Sequence, residues 1–152
     1  MVEAGQPAPD FTLTSDSGER VTLSELRGQP VVLYFYPKDD TPGCTTQAQG
    51  LRDSYGELEQ AGAVVLGVSP DSEASHVKFR EKYGLPFTLL ADPDHAVAEQ
   101  YGVWGEKTYM GRTYVGVLRT TFVIDEDGTV KRVLRDVKPA SHAHDVLAVL
   151  HD

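Results

Sequence analysis

The chain has 152 residues, a length that buries roughly 70% of its unfolded surface around one core, and residues 1–152 are expected to form a single domain. Hydrophobic residues at 40% and charged residues at 24%, with 14 Gly and 9 Pro spread along the chain, exclude collagen-like, coiled-coil and disordered architectures. A formal charge of −9 repels nucleic-acid phosphates and anionic lipid heads, so neither is expected as a partner.

The opening Met1-Val2-Glu3-Ala4-Gly5-Gln6-Pro7 has no basic stretch followed by an apolar one, which places the expected location in the cytoplasm. Next, Phe11-Thr12-Leu13 and Arg20-Val21-Thr22-Leu23, separated by Ser15-Asp16-Ser17-Gly18, predict an N-terminal β-hairpin. Val31 to Tyr36 is short, rich in Val and aromatics, and apolar at every position, the pattern of a strand buried on both faces; it is too short to span a membrane. Cys44, Ala48, Leu51, Tyr55, Leu58 and Ala61 recur at steps of three and four, predicting one long helix stopped by Gly62. Ala63 to Val68 predicts a second buried strand. Asp71 or Ser72 then caps a helix carrying Ala74, Val77 and Tyr83 up to Gly84.

A short strand is predicted at Phe87-Thr88-Leu89-Leu90. Asp92-Pro93 predicts an N-cap with proline at the first helical position, opening a helix with Val97 and Tyr101 that ends at Gly102. Thr121-Phe122-Val123-Ile124 is a third buried strand, and Asp127-Gly128 turns it into a hairpin reaching Val133. A last helix from about Ser141 to Leu150 buries Val146, Leu147 and Leu150. Helices alternating with buried strands predict an α/β fold with a mixed central sheet flanked by helices.

Cys44 is the only cysteine, which rules out an internal disulfide and any Cys-based metal centre, and no metal or other cofactor is predicted. A lone cysteine is commonly a small buried hydrophobe. Here, however, it opens a helix at the carboxyl end of a buried strand, where ligand crevices form in open α/β sheets. Unpaired N–H groups and the positive end of the helix dipole there favour a thiolate. Pro37 and Pro42 stiffen the intervening loop, and Gly43 lets the backbone approach a small ligand.

Pro37, Thr41 and Cys44 form a Pro-x-x-x-Thr-x-x-Cys pattern inside Val-Leu-Tyr-Phe-Tyr-Pro-Lys…Thr-Pro-Gly-Cys-Thr. Further blocks follow in order: Gly5 to Phe11, Gly50-Leu51-Arg52-Asp53, Val65 to Ser69, Tyr101 to Lys107, and Arg119 to Asp125. With these blocks the chain resembles the peroxiredoxins, in their bacterioferritin-comigratory or Q-type branch, over nearly its whole length. The resemblance implies a thioredoxin-like fold and a thiol-specific peroxidase reducing hydrogen peroxide and organic hydroperoxides. It makes Cys44 the peroxidatic nucleophile, Thr41 the hydroxyl that holds peroxide and thiolate, Pro37 the shield of the site and Arg119 the active-site guanidinium, with backbone N–H groups of Gly43 and Cys44 as further donors. It also implies a monomer.

The chain departs from that pattern in one respect. Where many Q-type members carry a resolving cysteine five residues after the first, this chain has Gln49. The sulfenic acid formed on Cys44 is therefore expected to be recycled by an external thiol, whether thioredoxin, glutaredoxin with glutathione, or another low-molecular-weight thiol. The missing cysteine leaves a second reading, a thioredoxin-like redox sensor or binding module with slow peroxide turnover. A thiol–disulfide oxidoreductase is disfavoured because no Cys-x-x-Cys is present.

Trp104, with Tyr101 and Tyr109, is read either as an apolar, substrate-binding wall of the peroxide pocket or as core packing. His142-Ala143-His144, His76 and His95 are read as surface or capping residues, since i and i+2 on a helix diverge. Asp39-Asp40 is read as a solvated turn whose charge opposes ionisation of the nearby thiol. Asp125-Glu126-Asp127-Gly128 is read as hairpin chemistry rather than a calcium loop.

Overall fold

The computed structural model describes residues 1–152, and its organising element is the strand Val31–Phe35 (β3), every residue of which is buried. Its side chains alternate. Val31, Leu33 and Phe35 enter one core cluster, while Val32 and Tyr34, with Tyr36 just beyond, enter a second on the other side. Two apolar faces need two covers, and the rest of the fold supplies them.

β3 pairs in parallel with Val64–Ser69 (β4), which pairs in parallel with Thr88–Ala91 (β5). On its other side β3 pairs antiparallel with Thr120–Ile124 (β8), followed by Val130–Arg135 (β9). The N-terminal hairpin, Thr12–Ser15 (β1) and Arg20–Thr22 (β2), adds to the outer edge of β5, giving the sheet order β2-β1-β5-β4-β3-β8-β9. Pro42–Asp53 (α1), Tyr55–Gln60 (α2), Glu73–Tyr83 (α3) and His142–Leu150 (α5) send Cys44, Ala48, Leu51, Leu58, Phe79, Ala143 and Val146 into one core cluster. Ala96–Tyr101 (α4) covers the other face with Phe11, Leu23 and Val103. The expected mixed α/β sheet, helical flanks and N-terminal hairpin are all present.

Several boundaries differ from expectation for identifiable reasons. The long helix is two, because the backbone leaves helical geometry at Ser54 (φ −98°, ψ 8°). Asp92 does cap α4, but from a distance. Its carboxylate accepts from the N–H groups of Val97 at 3.2 Å and Ala98 at 3.0 Å, so the helix begins at Ala96 and not at Pro93. Ser72 is the cap of α3, accepting from the N–H of Ser75, yet the buried face of that helix is His76 and Phe79 while Ala74 is exposed. In α5 it is Val149 that is buried with Val146, Leu147 and Leu150 being only partly covered. A second hairpin, Trp104–Tyr109 (β6) with Arg112–Val117 (β7), pairs only with itself. The Asp125–Thr129 turn closes with the Asp125 N–H on the Thr129 carbonyl and the Gly128 N–H on the Asp125 carbonyl, hairpin chemistry as read.

Candidate active site

β3 ends at Phe35, and the chain crosses Pro37 to Thr41 before α1 begins, with Thr41 at the N-cap, Pro42 first, Gly43 second and Cys44 third. Cys44 is a free cysteine and only 1% exposed. The first α1 N–H with a backbone partner is that of Thr45, on the Thr41 carbonyl, so the Gly43 and Cys44 N–H groups remain available as donors. The Thr41 hydroxyl donates to the Lys38 carbonyl at 2.8 Å, which commits its proton and leaves its oxygen able to accept.

Arg119 sits just before β8, beside the end of β3, because Thr120 pairs with Phe35. Its Nη2 lies 3.1 Å from where a Cβ on Gly43 would be, with Cγ of Pro139 at 3.7 Å. Glycine at 43 is therefore what lets the guanidinium lie against the first turn of α1. Nη1 of Arg119 donates to Oε1 of Gln47 at 2.7 Å. Gln47, one turn after Cys44 and fully buried, donates in turn through Nε2 to Nδ1 of His142 at 3.2 Å, and Nε2–H of His142 donates to the Thr121 hydroxyl at 2.7 Å. Only one set of donor and acceptor roles satisfies this chain: the amide oxygen toward Arg119, the amide nitrogen toward His142, and a neutral imidazole protonated on Nε2. Burial pushes His142 down to about 4, and the Arg119 charge acts in the same direction, so the imidazole is neutral at physiological pH.

His142 is thus buried in the site, against the expectation of a surface helix position; His144 is exposed as expected. His76 is likewise fully buried. Nδ1 of His76 lies 2.7 Å from Oδ2 of Asp39, and Nε2 lies 2.9 Å from the Leu90 carbonyl. Asp39 also accepts from Tyr36 at 2.6 Å and from Ser75 at 2.8 Å, and its N–H donates to Asp71 at 2.8 Å. Asp40, with φ 56°, accepts from Lys82 and Tyr83. Asp39 is buried and so departs from the solvated turn, while Asp40 is exposed as read; each is matched by its own donors, and together they pin the Pro37–Thr41 loop to α3. Asp39, Asp71 and His76 bring potential ligand atoms within 4.8 Å of one another, but protein hydrogen bonds occupy them.

Of the two readings for Trp104, Tyr101 and Tyr109, pocket wall or core packing, the three side chains do not converge into a wall. Tyr101 is buried among Phe11, Phe35 and Phe122, and Tyr109 is 68% exposed. Trp104 stacks on His95 at 3.8 Å and packs against the core cluster on the face of the sheet opposite Cys44, the packing role of the two considered for it. Lys107 of the same segment donates through Nζ to the Val117 carbonyl at 2.8 Å; burial lowers its ammonium below the ordinary value, the Arg119 charge acts in the same direction and the Cys44 charge opposes both. Pro37 is half-buried at the end of β3.

Residues 4–133 match the AhpC/TSA family. Over 146 residues the chain is 52% identical to Peroxiredoxin Bcp of Escherichia coli K12, covering 96% of this chain and 93% of that protein. It is 48% identical over 151 residues to Peroxiredoxin Bcp of Bacillus subtilis 168, covering 99% and 96%. Peroxiredoxin Q of Xanthomonas campestris shares the thioredoxin-like fold with a TM-score of 0.91 at 40% identity, covering 99% and 98%. A structure of the Bacterioferritin Comigratory Protein from that organism, studied for its alkyl peroxide reduction activity, gives a TM-score of 0.91 at 39% identity, with 98% of each chain covered.

Proposed function

The chain belongs to the AhpC/TSA family, as a peroxiredoxin of the Bcp or Q type, and from that premise we propose which of its residues reduce a peroxide and how. It is a thiol-dependent peroxidase. The observation that carries the assignment is the Arg119 guanidinium laid against Gly43, over the turn that presents the only thiol, with its angle held by Gln47.

The Cys44 thiolate attacks the terminal peroxide oxygen. The O–O bond breaks, its electron pair leaves on the second oxygen, and that oxygen takes a proton to become water or an alcohol, leaving Cys44 sulfenic acid. Arg119 and the free N–H groups of Gly43 and Cys44 stabilise the charge developing on the two oxygens. Thr41, its own proton committed to Lys38, accepts the hydrogen of the bound hydroperoxide, and Pro37 keeps water off one side. Since no second cysteine exists, one external thiol displaces water from the sulfenic acid to give a mixed disulfide, and a second thiol releases Cys44 and a donor disulfide. The substrates are hydrogen peroxide and organic hydroperoxides, the protein acts as a single copy in the cytoplasm, and thioredoxin, glutaredoxin with glutathione, or a small thiol closes the cycle. No helix is long and apolar enough to cross a membrane.

The test is stopped-flow mixing of reduced protein with one equivalent of hydrogen peroxide, following thiol loss and Trp104 fluorescence. Oxidation at least about a hundredfold faster than that of a free thiol, absent in Cys44→Ser, is expected. A rate equal to that of a free thiol would return the chain to the slow sensor reading.

His142 belongs to this machinery as a positioning residue. His142→Leu removes the acceptor that orients Gln47, and the peroxide rate is expected to fall about tenfold through a misaimed Arg119. His142→Asn, whose side-chain oxygen can replace Nδ1 as acceptor, is expected to recover most of it, while the rate of Cys44 alkylation by iodoacetamide, which needs no aimed guanidinium, stays within about twofold in both. Equal losses in the two variants would reduce His142 to a packing residue.

A further inference from the structure

Five large hydrophobic residues are exposed in the whole molecule, and four lie on the β6–β7 hairpin: Tyr109 at 68%, Met110 at 85%, Tyr114 at 48% and Val115 at 55%. A concentration of this kind on one element marks a contact surface rather than scattered exposure. The hairpin has no partner strand, and its turn, Met110 (φ 51°) and Gly111 (φ 79°), is a tight two-residue link that leaves the tip projecting.

Its position gives the surface a purpose. Lys107 pairs with Tyr114 and Tyr109 with Arg112, and alternation puts these four side chains on one face. β7 then runs through Leu118 straight into Arg119. The face therefore carries the exposed Arg112, Lys107 with its Nζ donating to the Val117 carbonyl at 2.8 Å, and two tyrosine rings, on a molecule whose formal charge is −9. Six residues per strand make it about 20 Å long, more than a tripeptide thiol covers.

We propose that this face of the β6–β7 hairpin is the docking surface for the reductant, and that the reductant is an acidic dithiol protein presenting an apolar rim around its reactive cysteine. The inference rests on the peroxidase reading, which requires a thiol from outside to reach Cys44. A second copy fits the requirement poorly, because its only thiol is itself a buried Cys44. The tyrosines and Met110 supply the apolar contact, and Arg112 with Lys107 supplies attraction to an acidic surface, so the attraction weakens with salt.

The experiment compares wild type with Tyr109→Ser/Tyr114→Ser and with Arg112→Glu, in peroxide turnover driven either by a bacterial thioredoxin with its reductase or by dithiothreitol. In both variants the KM for thioredoxin is expected to rise about tenfold, while the dithiothreitol-driven rate and the stopped-flow oxidation by peroxide remain within about twofold of wild type. In wild type the thioredoxin KM is expected to rise with ionic strength, and in Arg112→Glu that dependence flattens. Unchanged thioredoxin KM values in both variants, matching losses with dithiothreitol, turnover with dithiothreitol but none with thioredoxin, or a wild-type dimer in sedimentation that the tyrosine variant dissociates would each overturn the proposal. Failure of wild type to turn over with either donor would instead sink the peroxidase reading beneath it.

Discussion

Arg119→Met is expected to slow the reaction of Cys44 with hydrogen peroxide by roughly 100- to 1000-fold, the range seen when an aimed donor is removed from a developing oxyanion. The guanidinium is suited to this task because it stays protonated and spreads several directed N–H groups over a plane; one of them is spent on Gln47 at 2.7 Å, which fixes the direction of the others. Methionine keeps most of the apolar stem and loses only the guanidinium that lies against Gly43, so folding stability is expected to change little at this half-exposed position. Arg119→Lys is not expected to recover the rate, since a point charge cannot hold Gln47 and the peroxide oxygens together. The measurement is the stopped-flow oxidation rate set against the iodoacetamide rate in the same preparation. A drop below about fivefold in the peroxide rate would make Arg119 a surface arginine with no part in the chemistry.

What the sequence disclosed, and what it hid, divides along physical lines. Val31–Phe35, Val64–Ser69 and Thr120–Ile124 were legible because strands buried on both faces are apolar at almost every position. The Pro37, Thr41, Cys44 and Arg119 set came from matching blocks that occur in order along the chain, and the fold brings the end of β3, the start of α1 and the start of β8 to one place. The partners of buried polar groups were not legible. His142 meets Gln47 across 95 positions and Thr121 across 21, and His76 meets Asp39 across 37, so local polarity suggested solvent where the fold provides hydrogen bonds. For Asp39 the reading placed the carboxylate in solvent, whereas it is buried and hydrogen-bonded to His76, Tyr36 and Ser75.

The β6–β7 hairpin escaped notice for a different reason. Gly105, Lys107, Arg112 and Gly116 interrupt any apolar alternation, and Met110-Gly111 is not one of the Asn-Gly or Asp-Gly pairs that announce a two-residue turn. A Cβ on Gly116 would make ordinary contact with the Lys107 stem at 3.5 Å, and one on Gly105 with Leu118 at 3.4 Å.

The two buried histidines are expected to set the pH range over which the fold is most stable, and in opposite directions. His142 has a folded value near 4 against about 6.5 in an unfolded chain, so as pH falls from 6.5 toward 4 the unfolded chain takes up a proton that the folded one refuses. Stability is therefore lost on the acid side, by up to about 3 kcal/mol if the full difference of about 2.5 units is realised. For His76, burial opposes the charged form, but the hydrogen bond and charge of Asp39 outweigh it, with the Leu90 carbonyl and Asp71 adding, and the value is raised. Its contribution is complete below 6.5 and is lost as pH rises through the folded value. Both contributions are complete together near pH 6.5. Urea unfolding at pH 5, 6.5 and 8 checks this by difference from wild type, which cancels other titrating groups such as Asp92, whose value burial raises. His142→Asn is expected to flatten the acid side. His76→Leu is expected to cost about 3 kcal/mol at pH 6.5, the low end for breaking a buried pair because Tyr36 and Ser75 still hold the stranded Asp39, and to flatten the alkaline side. Parallel pH curves for wild type and both variants would mean that neither imidazole changes its proton affinity on folding, and the neutral His142 on which the aim of Arg119 depends would lose its support.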